Sequence, residues 1–452
     1  MNITFVCNEY PPCSQGGIGT FVYTFGHALQ AKGHSITVVG LGPTNKQWND
    51  DGVRVVLLAS TLGNSLTNDR ETLNTWLEND VRTAKTDIIE VPDFEGMMPY
   101  NFAGCPIVVR LHMAASCVSV SAHRPPRPLV YYFERQTLRN HGHWIPVSQF
   151  VLNYTQKVFQ LTASSASVVY NCVPPSPQAT IHDTTPLTEQ YGDFILYVGK
   201  ICRHKGALDL ARAANWFLAE FPSIRLVYIG RDTTVRGKSV TQAIYQIVDQ
   251  GVRDRVLFIG NLPHREVLRW MTAAKVLVQP SHLESFGLVI IEAAQAGVPV
   301  VYTRSAAGPE VIEHNRTGLL VCPTRPREIS QAVQQLLLNP QWATQLAANA
   351  KAVLAKRFSV EACINASLTI YKDIIALHEA NNDYKQVSNQ MSVVSALCLN
   401  AAVCLDRLFI KALDLNRSVR RRLDACRTRV HSTRDTRSPD RHKNPSSNIR
   451  LG

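Results

Sequence analysis

The sequence predicts an α/β protein made of two doubly wound domains, each a parallel sheet covered on both faces by helices. Three observations carry that expectation. Short β-branched apolar runs alternate with helix-period segments through both halves of the chain. A proline-rich, strand-poor stretch at 174–186 (PPSPQATIHDTTP) separates the two series. The 452 residues exceed what one hydrophobic core serves. The expected parts are a first domain at 1–180, a second at 190–358, a late helix at 359–380, an amphipathic helix at 391–415 and a basic tail at 416–452.

In the first domain, strands are expected at 3–7, 36–39, 53–58, 88–91, 107–111, 144–147 and 168–170, with a helix at 20–32. Between the first strand and that helix runs Gln15-Gly16-Gly17-Ile18-Gly19-Thr20. Glycines there let a backbone approach a ligand, and amides at a helix start favour an anion. The dinucleotide fingerprint is not met, because G-G-x-G-T lacks its spacing; tight strand-to-helix packing explains such a loop equally well. Glu90 and His112 are placed at the ends of strands 88–91 and 107–111. Ligands of open parallel sheets bind outside the carboxyl ends of the strands, so both side chains are expected to face a cleft. His112 would donate to a hydroxyl or stabilise developing charge, although a histidine that merely caps a strand also fits.

In the second domain, strands are expected at 194–198, 225–229, 256–259, 276–279, 299–302 and 318–321. The loop Gly199-Lys200-Ile201-Cys202-Arg203-His204-Lys205-Gly206 brings three cations to a helix start, which suits a pyrophosphate; solvated lysines are the plainer alternative. Segment 282–300, HLESFGLVIIEAAQAGVPV, places Glu284 on a loop after a buried strand and Glu292 about one turn into the next helix. Two carboxylates thus flank free helix amides, a layout for a sugar phosphate. Alternatively, Glu292 complements the helix dipole and Glu284 is a solvated loop charge. Gly308-Pro309-Glu310 adds a further turn expected to line the cleft.

Lys and Arg exceed Asp and Glu by 12, but 411–452 holds twelve basic and four acidic residues, so the body is only mildly basic. That distribution argues against nucleic acid as a partner. Eleven cysteines occur singly, without a C-x-x-C pair, and suggest neither a disulfide framework nor a zinc site; a reducing, cytoplasmic setting follows. The N-terminus reads as a strand rather than a signal peptide, and no apolar run approaches the ~18 residues of a spanning helix. In 391–415, Asn400, Arg407, Lys411 and Asp414 fall on one side of a helix and Leu397, Ala401, Cys404, Leu408 and Leu415 on the other. With the tail, expected to be disordered, it would suit peripheral attachment to an anionic membrane face. A dimerising or domain-packing helix with a solvating tail fits the same residues.

Taken together, Gly16-Gly17, His112, the loop Gly199 to Gly206, Glu284-Ser-Phe-Gly-Leu-Val-Ile-Ile-Glu292 and Gly308-Pro309-Glu310 resemble, in order, the motifs of the retaining family 4 glycosyltransferases. The likeness covers roughly residues 1–371, and its most specific element is the E-x7-E pair. It implies the GT-B fold, two Rossmann-like domains facing across a cleft, with a C-terminal helical and basic extension here. It implies transfer of a sugar from a nucleoside diphosphate sugar to a glycan, a lipid-linked or a small-molecule acceptor. The route implied is front-side displacement, with neither cofactor nor metal. On the matching positions, His112, Glu284 and Lys205 would be catalytic, with Glu284 on the sugar hydroxyls and Glu292 on the ribose. Gly16, Gly17, Lys200, Arg203 and the turn Phe286-Gly287-Leu288-Val289 would hold the donor, while Glu90 and Glu310 would line the acceptor side. The family's arginine at the position of Lys200 is replaced, which removes a bidentate fork; Arg203 is a candidate substitute. A silent nucleotide-sugar-binding scaffold, or a sugar-nucleotide epimerase of the same fold, is the alternative.

Overall fold

The computed structural model describes residues 1–12, 16–60, 65–102, 104–174, 184–235, 237–382 and 398–413. Most of the proline-rich stretch, both ends of the amphipathic segment 391–415 and the whole basic tail lie outside the described residues. Chain contacts divide the molecule into a large unit, 1–126 with 130–391, and a small one, 127–129 with 392–452.

The first half of the large unit is an eight-stranded sheet formed by β1 (Asn2–Val6), β2 (Ser35–Gly42), β3 (Lys46–Asp50), β4 (Val53–Ala59), β5 (Ile88–Pro92), β6 (Ile107–Leu111), β7 (His143–Pro146) and β8 (Ser165–Ala166). Its spatial order is β3-β4-β2-β1-β5-β6-β7-β8. Every pairing is parallel except β3 with β4. Helices α1 (Gly17–Ala31), α2 (Leu66–Ala84), α3 (Ala115–Ser121), α4 (Pro128–Asn140) and α5 (Gln149–Phe159) connect the strands. Strand alternation sorts the core into two layers: Ile3 and Phe5 of β1 pack with Phe21, Phe25 and Leu29 of α1, while Val6 packs on the opposite face. Polar β3 gives no apolar run and is absent from the sequence-based expectation; it pairs only as an antiparallel edge. The strand expected at 168–170 is replaced by the two-residue β8, after which Val169 N–H donates to Pro146 O at 3.0 Å.

The second half is wholly parallel, in the order β13-β10-β9-β14-β15-β16, with β9 (Phe194–Val198), β10 (Arg225–Ile229), β13 (Val256–Gly260), β14 (Val276–Gln279), β15 (Val300–Thr303) and β16 (Leu319–Val321). A small hairpin, β11 (Thr234–Val235) with β12 (Lys238–Ser239), stands apart. Central β9 is buried along its length, as a strand covered on both faces must be. Its coverings come from α6 (Thr185–Tyr191), α7 (Ala207–Glu220), α8 (Val240–Ile247), α9 (His264–Ala273), α10 (Leu288–Gln295), α11 (Gly308–Val311), α12 (Pro326–Leu338) and α13 (Pro340–Arg357). Then α14 (Val360–Asn382) lies on α1 of the first half, where Cys363, Ile364 and Tyr371 join the core of Phe5 and Phe25. None of the described helices is long and apolar enough to cross a membrane.

Candidate active site

The carboxyl ends of both sheets meet at a cavity of about 410 Å³. The first half contributes Glu9, Gly16, Gly17, Phe94, His112, Met113 and Asn171 to its lining. The second half contributes Lys200, Lys205, Gln279, Glu284 and the turn Ser285 to Ile290.

The turn follows from local chemistry. Gly287 has φ +96°, and a Cβ there would lie 2.2 Å from the hydroxyl oxygen of Tyr302, so only glycine fits. Tyr302 in turn donates to Phe286 O at 3.2 Å. Gly287 begins α10 with no side chain capping it, which leaves the amides of Leu288 and Val289 on the cavity wall at the positive end of the helix. The ring of Phe286 is buried against Tyr170 and Phe358.

Beside that helix start, Lys205 Nζ donates to Glu284 Oε2 at 2.6 Å, and Ser281 Oγ reaches the same oxygen at 3.3 Å. The Glu284 side chain is only 9% exposed, so its charge is compensated inside the protein. The loop of Lys205 is docked on this strand end, because His282 N–H and Leu283 N–H both donate to His204 O. Glu292, one turn into α10, lies outside the lining residues and accepts from His264 Nε2 at 2.9 Å, a bond that raises the imidazole above its usual range.

On the facing side, His112 sits edge-on to Phe21 at 5.2 Å. Burial, then the Arg110 charge, pulls it down to about 3, so the imidazole is neutral near pH 7. Its backbone is fixed by a carboxylate that sequence reasoning missed: Asp93 accepts from His112 N–H at 2.8 Å and Met113 N–H at 3.2 Å. Met113 has φ +106°, a sparsely populated region for a side chain of its size, and marks local strain beside the cavity. A second buried carboxylate, Glu134, accepts from the amides of Glu95, Ala115 and Ser116. Burial raises Asp93 and Glu134 each to about 7.

Four predicted residues are placed elsewhere. Glu90 is not at a strand end, because β5 continues to Pro92; by alternation it shares a face with Ile88, under α1 and α14. There it is paired with Arg110 at 2.7 and 2.8 Å and accepts from Tyr371. Arg203 and Lys205 are the first and last residues of one 3-10 turn; Lys205 faces the cavity and Arg203 is exposed to solvent. Glu292 lies beyond the lining, as described. Glu310 also leaves the cavity, and its carboxylate reaches the first half, where Gln149 N–H and Phe150 N–H donate to it at 2.7 and 2.8 Å. It thereby caps α5, whose Ser148 donates from Oγ to Ser285 O at 2.8 Å. Both contacts join the two halves next to Glu284.

Further lining residues carried no sequence signal. Glu9 packs its carboxylate where a Cβ on Gly16 would stand. The buried Oδ1 of Asn171 and Oε1 of Gln279, both on lining residues, have no hydrogen-bond partner. Among the described residues, one group of three potential metal ligands occurs, His27, Asp50 and Asp51, and it is not part of the cavity lining.

Two family descriptions match the chain in tandem: "Glycosyltransferase Family 4" over residues 15–176 and "Glycosyl transferases group 1" over 185–353. Glycogen synthase of Mycobacterium tuberculosis is 27% identical over 408 residues, covering 82% of this chain and 94% of that protein. Among solved structures, sucrose-phosphate synthase of Thermosynechococcus elongatus superimposes with a TM-score of 0.68 at 21% identity, covering 83% of this chain and 99% of the other. Anabaena HepE in complex with UDP-glucose does so at 0.60 and 20% identity, covering 84% and 100%. Both have the GT-B architecture of two facing α/β domains.

Proposed function

The chain belongs to the group 1, family 4 glycosyltransferases with the GT-B fold, and from that premise we propose that it transfers a sugar from a nucleoside diphosphate sugar to an acceptor hydroxyl with retention at the anomeric carbon. The observation that carries this reading is the Lys205–Glu284 pair at 2.6 Å, set beside the uncapped start of α10 in a cavity that both halves line.

The donor diphosphate occupies the amides of Leu288 and Val289 and the cations of Lys200 and Lys205, with the Gly16-Gly17 backbone approaching from the first half. Lys205 then exchanges its bond to Glu284 for the leaving phosphate, and the released Glu284 oxygen accepts from the sugar hydroxyls. Beyond the lined cavity, Glu292 gives up its bond to His264 and accepts from the ribose. Neutral His112, held by Asp93, offers a hydrogen bond to the sugar without adding positive charge beside an oxocarbenium-like centre. The acceptor attacks from the face the phosphate leaves, and the phosphate oxygen takes its proton, so the protein contributes orientation and preorganised charge rather than a nucleophile. A divalent metal has no step in this scheme, and turnover in a chelator is expected to be undiminished.

A thermal-shift series over nucleoside diphosphate sugars identifies the donor, starting from UDP-glucose because HepE is described with it. With that donor, Lys205→Met and Glu284→Gln are expected to lower turnover by about 10²-fold or more. Near-normal turnover in both, with the donor still bound, would overturn the site. A donor that binds but is neither transferred nor hydrolysed by the unaltered protein would mark a silent binder instead.

A further inference from the structure

The small unit pairs residues 127–129 with a helix over 398–413. The way this helix is anchored decides which of its faces is left open. Asp406 is turned inward and almost fully buried: Arg127 Nε donates to it at 2.9 and 3.0 Å and Nη2 at 2.8 Å, and Leu129 N–H at 3.3 Å. Ala402, one turn earlier, is buried on the same side. The acidic residue therefore does not face water, and the opposite stripe carries Ala401, Cys404, Leu405, Leu408 and Ala412 at helical spacing, all exposed.

Leu405 is 56% and Leu408 62% exposed, two of the ten exposed large apolar side chains found among the described residues; Ile410 and Leu413, also exposed, fall at helical spacing on the side of Asp406. Arg407 and Lys411 run along one edge of the stripe, and both are exposed.

We propose that this outward stripe is a docking surface for an anionic lipid bilayer, with Leu405 and Leu408 entering the headgroup boundary and Arg407 and Lys411 meeting acidic headgroups. Charge selects this occupant. The sequence from Lys411 onward holds twelve basic and four acidic residues, so it adds attraction to any anionic surface the stripe touches. A second copy seated on the stripe would bring two such segments of like charge together. A nucleic acid would use the cations but would leave the leucines unburied. An apolar stripe edged by Arg and Lys satisfies both halves of the requirement for interfacial binding, buried apolar area and electrostatic attraction. The inference does not depend on the identity of the donor or on turnover.

The test is co-sedimentation and flotation of the full-length chain with vesicles of phosphatidylcholine plus phosphatidylglycerol, compared with phosphatidylcholine alone. Binding is expected on the anionic vesicles, reduced about tenfold or more by high salt or by neutral vesicles. The double variant Leu405→Glu with Leu408→Glu is expected to weaken it by a similar factor. These side chains are exposed, and far-ultraviolet circular dichroism together with an unchanged thermal unfolding transition confirms that the variant is folded. Arg407→Gln with Lys411→Gln provides a milder second variant. Failure to bind anionic vesicles, equal binding to neutral ones, or equal binding by the leucine variant would each overturn the proposal. So would light scattering that shows a dimer lost in the leucine variant, which would assign the stripe to a second copy.

Discussion

Replacing Glu310 by glutamine tests whether the two halves of the enzyme are held around the donor site by charge. In the structure one carboxylate spans the boundary, with its two oxygens accepting from Gln149 N–H at 2.7 Å and Phe150 N–H at 2.8 Å. Glutamine keeps the shape but removes the charge and turns one acceptor into a donor facing an N–H. A hydrogen bond to a charged group contributes about 1.5–3 kcal/mol against about 0.5–1.5 for a neutral one, and the charge at the helix start adds about 0.3–1 kcal/mol. Glu310 is partly exposed, which screens these terms. A net loss of about 1.5 kcal/mol is a reasonable central figure, roughly a tenfold shift of the closed-to-open ratio. If closure is strongly favoured, a tenfold shift leaves donor affinity almost unchanged, because apparent affinity follows the closed fraction. Glu310→Lys, which sets a cation against the positive end of α5, extends the series. The measurements are radius of gyration by small-angle X-ray scattering and donor dissociation constant by calorimetry, with and without Ser148→Ala, which removes the bond to Ser285 O. The expected order is a progressive expansion and weakening from wild type through Glu310→Gln to Glu310→Lys. Unchanged scattering and affinity in the lysine variant would refute the idea that these contacts hold the halves together.

The remaining expectations concern the second carboxylate and the core. Because the bond to Glu292 raises His264, its stabilising contribution is complete below the ordinary imidazole value of ~6.5 and is lost as pH rises through the raised value. The difference in melting temperature between wild type and His264→Ala is therefore expected to be largest near pH 6 and to shrink in alkaline buffer; a pH-independent difference would contradict the assignment. Removing one partner of the Glu90–Arg110 pair, whose side chains are 3% and 1% exposed, strands a buried charge. Arg110→Met is expected to cost about 3–5 kcal/mol in urea unfolding, and Glu90→Leu with Arg110→Met less than the sum of the single changes.

What the sequence makes legible here depends on how local each residue's task is. The parallel strands announce themselves as apolar runs, and Gly287 announces a turn that only glycine can make, because strand burial and backbone conformation are settled within a few residues. Side chains tied to distant partners are different. Glu90 inside β5 and Asp93 just past its end are three positions apart, yet alternation and the true strand length send one beneath α14 and the other to the amides of His112 and Met113. Nothing near Glu310 in sequence signals that its partners are Gln149 and Phe150, 161 and 160 positions away, because the contact exists only where the two halves meet. Asn171 and Gln279 enter the cavity from opposite halves and carry no motif. The Lys205–Glu284 pair, 79 positions apart, is the instructive middle case. Each residue is visible through the loop or strand end that bears it, but their contact requires β9 and β14 to be neighbours, as β14 pairs directly with β9. Ligand binding at strand ends is therefore readable from sequence as a set of candidates, and the neighbour relation between strands decides which candidates become partners.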